Sequence, residues 1–302
     1  MKISRRVALG RLGGGFASIA GGERLFAESE RLAGQKLCYF TKMFQGLTYE
    51  ELAKLTAELG FDGVEATIRP KGHIEPEAVP EELPKMVAAM KEQGREVTIM
   101  ASGINAISEE QHTESVLRTA VELGIRHYRM AYYKYAKDRS QEEQLPEFRA
   151  KLKDLAALNQ ELGIQALYQN HAGSTNVGAQ VSDICELVAE LPREAVSLAF
   201  DIRHAVAERG DDWAAAAQEA MPLSRSVYVK DCVRGNGEKL ENVPLGEGLV
   251  DPTFFPQFQV GSFPGPISLH VEYIRRDDPD AVQKGKAAYV TDFATLKGYL
   301  AG

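Results

Sequence analysis

Cysteine is scarce in this chain, and the three present, Cys38, Cys185 and Cys232, show no Cys-x-x-Cys spacing. They cannot all pair internally, so neither a disulfide framework nor a zinc ribbon is indicated, and they are expected as reduced core residues. Clustered basic charge is missing as well. With 35 Lys and Arg against 43 Asp and Glu, the formal net charge is −8, which speaks against a nucleic-acid or anionic-membrane partner. No stretch approaches the ~20 apolar residues of a transmembrane helix, so no integral membrane segment is expected. A Gly-rich phosphate turn is also missing: Phe40-Thr-Lys-Met-Phe-Gln-Gly46, after the first apolar run, contains no G-x-G-x-x-G. No multi-Arg phosphate cradle is visible either.

What remains is a chain of 302 residues, 44% hydrophobic and 26% charged, long enough to bury a large core. Residues 1–28 stand apart. Ser4-Arg5-Arg6 precedes a weakly apolar, glycine-rich run and then Leu25-Phe26-Ala27, a pattern that resembles a twin-arginine export signal. The expectation is an exported, periplasmic protein; without a working signal the chain would stay in the cytoplasm. Residues 29–302 are then a single catalytic domain.

Within that domain one join repeats. Glu58-Leu-Gly60, Glu92-Gln-Gly94, Glu122-Leu-Gly124 and Glu161-Leu-Gly163 each close an amphipathic helix and open an apolar run. Strands are expected at 36–40, 61–67, 97–101, 128–132, 165–170, 196–201, 226–230 and 267–272. Helices are expected near 49–59, 81–93, 114–123, 146–162, 181–190, 212–220, 252–259 and 286–300. Eight strands alternating with eight helices predict a closed (β/α)8 TIM barrel, class α/β. An open doubly wound sheet is the competitor.

Active residues of such a barrel sit at the C-terminal ends of the strands, and here those ends are polar. Alternation along each strand puts Gln169 with His171, Tyr228 with Lys230, and His270 with Glu272, while Asp201 and His204 close the sixth strand. Each has a plainer explanation: Asp201 as a helix cap with His204 an ordinary buried histidine, Lys230 and Asp231 as a surface ion pair. Glu272 resists one, because a carboxylate closing the apolar run Ile267 to Val271 would be buried without a reason. Arg69 and His73 after the second strand, and Arg129, Tyr132 and Tyr133 on the fourth, are candidate pocket residues. His112 and His127 are uninformative.

Asp201-Ile-Arg-His204, Tyr228-Val-Lys-Asp231, the loop Pro244 to Asp251 and His270-Val-Glu272 together resemble the xylose-isomerase-like sugar phosphate isomerase/epimerase superfamily. The likeness spans about residues 36–300. It implies a divalent metal (Mn, Mg, Zn or Co) held by Asp201, His204, Glu272 and Gln169. The polar strand ends make Glu272 the candidate general base, with His171 or Tyr228 as the acid and Lys230 beside the developing charge; Glu65, Arg129, Tyr132, Asn170 and His270 are candidate substrate contacts. Two positions depart from the family pattern. Gln169 stands where members carry Glu, and Tyr228 where they carry His. Gln169 cannot act as a base, and Tyr228 removes an imidazole ligand, so a weak site, a shifted site and no metal all stay open.

The resemblance implies an enzyme that abstracts a proton next to a carbonyl on a sugar or oxidised sugar, an isomerase or epimerase. The alternatives are a lyase on 3-keto-glycosides and a non-catalytic exported carbohydrate-binding barrel. A DNA-repair nuclease on the same barrel would want more His and Glu ligands and a basic groove. The expected partner is a small carbohydrate, with the oligomeric state left open.

Overall fold

The computed structural model describes residues 35–235, 240–258 and 263–301; the expected export signal lies outside them. All four joining glycines have left-handed backbone, with φ of 83°, 65°, 90° and 69° at Gly60, Gly94, Gly124 and Gly163. A side chain there would be strained, so each glycine ends its helix and sends the chain back toward the sheet. The first helix also starts as its sequence dictates: Thr48 accepts from the backbone N–H of Glu51, and Glu51 from that of Thr48.

The elements run β1 Leu37–Phe40, α1 Tyr49–Leu59, β2 Gly63–Ile68, α2 Val79–Glu92, β3 Glu96–Ser102 and α3 Thr113–Glu122. Then come β4 His127–Arg129, α4 Gln141–Leu162, β5 Gln165–Gln169, α5 Val181–Val188, β6 Val196–Asp201, α6 Ile202–Arg209 and α7 Trp213–Ala220. The chain continues through β7 Ser224–Val229, β8 Asp231–Arg234, β9 Leu240–Val243, β10 Ile267–Leu269 and α8 Ala281–Ala301. Eight strands form a closed parallel barrel in the order β1-β10-β7-β6-β5-β4-β3-β2. Closure is made where Leu37 of β1 pairs with Ile267 of β10.

Two apolar layers hold this together. The larger lies between the strands and the helical jacket. The smaller fills the barrel bore, where Cys38, Ile99, Leu167 and Tyr228 come one each from β1, β3, β5 and β7 and meet Ala199. Contribution from alternate strands is how a tilted barrel fills its interior. This plug closes the bore below the polar residues, so the strand ends form a mouth and not a channel.

The structure differs from the expected elements in four places. β4 and β10 leave the ladder earlier, which puts Tyr132, His270 and Glu272 just beyond their strands; their side chains bond across the mouth instead. The chain turns directly from β6 into α6, with Asp201 capping it by accepting from the N–H of His204. Pro252–Phe258 winds as a 3-10 helix around Pro256. Finally β8 and β9 form an antiparallel hairpin between β7 and β10. Its polar sequence carried no apolar alternation to announce it.

Lys230 and Asp231 do not pair, because strand alternation sends them opposite ways. Asp231 faces the 244–250 loop and accepts from the N–H groups of Gly246, Gly248 and Val250 at 3.0, 3.0 and 3.1 Å. A Cβ on Gly248 would collide with this carboxylate. The loop therefore folds against β8 by wrapping one buried acid.

Candidate active site

The polar residues of the mouth are stacked in tiers. Lowest is Glu65 of β2, with no exposed surface. It accepts from Ser268 at 2.6 Å and from Nε2 of His270 at 2.8 Å, and lies 3.1 Å from the Arg129 guanidinium of β4. Tyr228 and Phe40 flank this tier, their rings each stacked 4.8 Å from His270. Burial would push the Glu65 carboxyl up, but Arg129 and His270 bring it down to about 2. A carboxylate this deep is tolerable only because a guanidinium and an imidazole share its charge.

Above it Gln169 links two systems. Its oxygen accepts from Arg129 at 3.1 Å and Tyr132 at 2.6 Å, and its amide group donates to Oδ2 of Asp201 at 2.6 Å. Asn170 fixes the Asp201 backbone, donating to its carbonyl at 3.0 Å and accepting from its N–H at 2.7 Å. The ammonium of Lys230 then stands 3.1 Å from Oδ2 of Asp201 and 2.8 Å from Oε2 of Glu272. Those two oxygens are therefore no farther apart than the sum of these distances, so β6 and the segment after β10 do converge.

Lys230 also lies 3.2 Å from Nε2 of His204. An ammonium can only donate, so Nε2 accepts there, while the Arg203 guanidinium lies 3.4 Å from Nδ1. The His171 ring packs 3.9 Å from that of His204 and 4.6 Å from Tyr132. Its Nδ1 is 2.9 Å from the carbonyl oxygen of Ala172 and 3.2 Å from the side-chain amide nitrogen of Asn176, which leaves Nε2 as the ring nitrogen with no hydrogen bond among the described residues. At the other end of the row Lys42 reaches Oε1 of Glu272 at 3.0 Å. The result is a continuous row, His171, His204, Lys230, Glu272, Lys42, along a cleft of about 160 Å³.

Electrostatics sort these groups. The Lys230 ammonium holds Glu272 well below the usual carboxylate range. Burial would raise Asp201, but Lys230 and His204 keep it below its ordinary value. Burial lowers His171 and His204, so both are neutral at pH 7. Arg69, beyond β2, lines the cleft with its guanidinium 5.6 Å from the Phe40 ring centre; burial and then Arg129 weaken its hold on its proton.

The residues singled out in the sequence thus fall in three places. Glu272, His171, Lys230, His204, Arg129, Tyr132, Gln169 and His270 line the cleft. Glu65 and Asp201 lie beneath it, and Asn170 secures Asp201 from behind. Tyr228 is off the cleft: it belongs to the barrel plug, its hydroxyl is buried without a partner, and burial pushes that phenol well above its ordinary value. His73 hydrogen-bonds Thr67 at 3.0 Å and the Phe44 carbonyl at 2.9 Å, bracing the β2 loop. Lys42 went unnoticed in the sequence: it lies past the end of β1, in the 3-10 turn Thr41–Phe44, where strand alternation no longer sets direction.

A model of the xylose isomerase-like TIM barrel family matches residues 53–293. The chain belongs to this family. Solved structures with the same fold include a 3-keto-D-glucoside 4-epimerase from E. coli, 19% identical over 87% of this chain and 99% of that one, with a TM-score of 0.64. A probable 3-DHS dehydratase of Bacillus anthracis petrobactin synthesis is 17% identical over 87% and 98%, with a TM-score of 0.65. D-psicose 3-epimerase of Clostridium cellulolyticum H10, solved with D-tagatose, is 11% identical over 88% and 99%, with a TM-score of 0.66. Comparison with curated proteins gave no match.

Family resemblance implied a divalent metal, and the donors present at those positions do not suit one. Gln169 turns its NH₂ toward Asp201 and spends its oxygen on Arg129 and Tyr132. Tyr228 is in the plug, and His204 gives its lone pair to Lys230. Among the described residues no group of three or more His, Cys, Asp or Glu is gathered to hold a metal ion.

Proposed function

We propose that this family member is an enzyme that moves a proton at the carbon next to a carbonyl in a sugar or oxidised sugar. The observation that carries the reading is the row of side chains along the cleft, with one proton carrier, His171, at one end and a second, Glu272, beside Lys42 at the other. Glu272, partly open to the cleft, is the general base. Its two ammonium partners hold it ionised, and transfer of Lys42 from Glu272 to a substrate oxygen would free Oε1 to take the proton. His171 is the second proton carrier at the other end, its neutral ring first taking up a proton at Nε2 and then returning it to the enediolate. Arg129, Tyr132 and Arg69 position substrate oxygens, and Lys230 supplies positive charge beside the developing enediolate.

Isomerase or epimerase chemistry needs a carrier for each of two proton transfers, and Glu272 with His171 provides an unlike pair. A lyase on a 3-keto-glycoside is the second reading. It is favoured by Gln169, which leaves one carboxylate base and a separate acid in place of two matched carboxylates. The same proposal takes residues 1–28 as an export signal, supported by the paired arginines, and so points to a free sugar or glycoside.

The test is incubation with a panel of ketoses and 3-keto-glycosides in heavy water, followed by NMR. Deuterium uptake or double-bond formation that disappears in Glu272→Gln is the expected result, with a loss of about 100-fold or more. Silence across the panel, with saturable sugar binding, would make this barrel a carbohydrate binder.

A further inference from the structure

The two carboxylates that the family pattern assigns to a metal already share a cation. We infer that the Lys230 ammonium is the built-in cation of this site and that the site works without a bound divalent metal. Geometry carries this. Lys230 reaches Asp201 at 3.1 Å and Glu272 at 2.8 Å, and its remaining proton points to Nε2 of His204 at 3.2 Å. All three donors of the ammonium are satisfied, in a residue only 5% exposed.

The charges around it agree. Glu65, Asp201 and Glu272 are matched against Lys42, Arg69, Arg129 and Lys230, so these groups already sum to one positive charge. A dication added here would need the lysine to leave, and would find an amide hydrogen face where a carboxylate is wanted. The lysine itself belongs to the family pattern, so what sets this chain apart is the pair of departures, which take a carboxylate at 169 and an imidazole at 228 away from a metal and leave the ammonium as the cation between the two acids. A neutral amide at 169 can instead hydrogen-bond Asp201, and an aromatic ring at 228 can fill the bore.

The contribution of Lys230 to turnover rests on the proton-transfer reading above, but the question of the metal does not. It is tested by titrating the full-length protein with MnCl₂, following free Mn²⁺ by electron paramagnetic resonance and heat by calorimetry, with no substrate present. The expected result is no stoichiometric uptake up to about 1 mM Mn²⁺. Uptake of one equivalent that is lost in Asp201→Asn would overturn the inference. A double variant, Gln169→Glu with Lys230→Met, supplies the missing carboxylate and removes the competing cation. It should bind Mn²⁺ at least about tenfold more tightly than the natural protein. A folded double variant with no gain would also count against Lys230 as the holder of the seat, and should this variant not fold, the titration of the natural protein decides alone.

Discussion

At the N-terminal end of the strands a cavity of about 490 Å³ is bordered by Lys36, Glu96, Thr98, Arg126, His127 and Pro266, whereas the cleft at the opposite end measures about 160 Å³. The larger space holds the weaker interactions. Its ion pair, Lys36 with Glu96 at 3.3 Å, is about half exposed on both sides, and water already solvates it. At the mouth, Asp201 and Lys230 are almost wholly out of solvent, so each depends on the other for its charge. Buried charge held in place sets the mouth apart from the opposite end, and cavity size does not.

The sharpest way to break the comparison is to remove one lysine from each end. Lys230→Met leaves Asp201 and Glu272 short of their shared cation and should cost about 3–5 kcal/mol. Lys36→Ala should change stability by less than about 1 kcal/mol. Chemical unfolding of both variants checks this, and equal losses would show that the mouth is no more coupled than the surface. The acid limb should follow the same logic. Asp201 and Glu272 have depressed native values, so their contribution is fully present above the ordinary carboxylate range and is lost as pH falls through the native values.

A smaller effect is expected at the lip of the cleft. Arg69 faces the cleft over Phe40 and has no carboxylate partner among the described residues, unlike Lys42 beside it. A guanidinium half removed from water without a counter-charge is poised for a substrate oxygen. Arg69→Ala should therefore raise KM by about tenfold or more with little change in kcat. Steady-state kinetics on the substrate that the NMR panel identifies provide the measurement. A fall in kcat at constant KM would place Arg69 in the chemistry instead.

How much of this could be read from the chain alone follows the same physical division. The barrel was legible because Glu-x-Gly joins and apolar runs are local signals, fixed by helix capping and burial. The residues of the mouth were legible because alternation points every second strand residue inward. Which inward residue reaches solvent is a matter of depth, and depth is set by strand stagger. Tyr228 and Lys230 share a face, yet one is in the plug and the other lines the cleft. For Asp201 the plain and the functional readings hold together: it caps α6 with Oδ1 and binds Lys230 with Oδ2. That Lys42 closes the row could not come from β10 or β7, since the contact joins residues 230 apart in sequence.

The mildest test uses a buried acid that has no cation. Asp292 of α8 is 2% exposed and accepts from the Tyr273 hydroxyl at 3.1 Å. Burial raises its carboxyl to about 6, in spite of hydrogen bonds from the Leu245 backbone and Tyr273. Asp201 is buried no less deeply and moves the other way, and the largest of the groups that bring it down is Lys230, followed by His204. The sign at Asp292 follows from linkage. Its native carboxyl holds a proton more tightly than the unfolded one, so its contribution is fully present below about pH 4 and is lost as pH rises through about 6. Asp292→Asn keeps the acceptor oxygen and removes the titration. It should gain on the order of 2 kcal/mol at pH 7 and nothing at pH 4, a difference that unfolding curves at the two pH values would measure. A gain of the same size at both would trace the effect to packing, and the contrast with Asp201 would then lose its electrostatic basis.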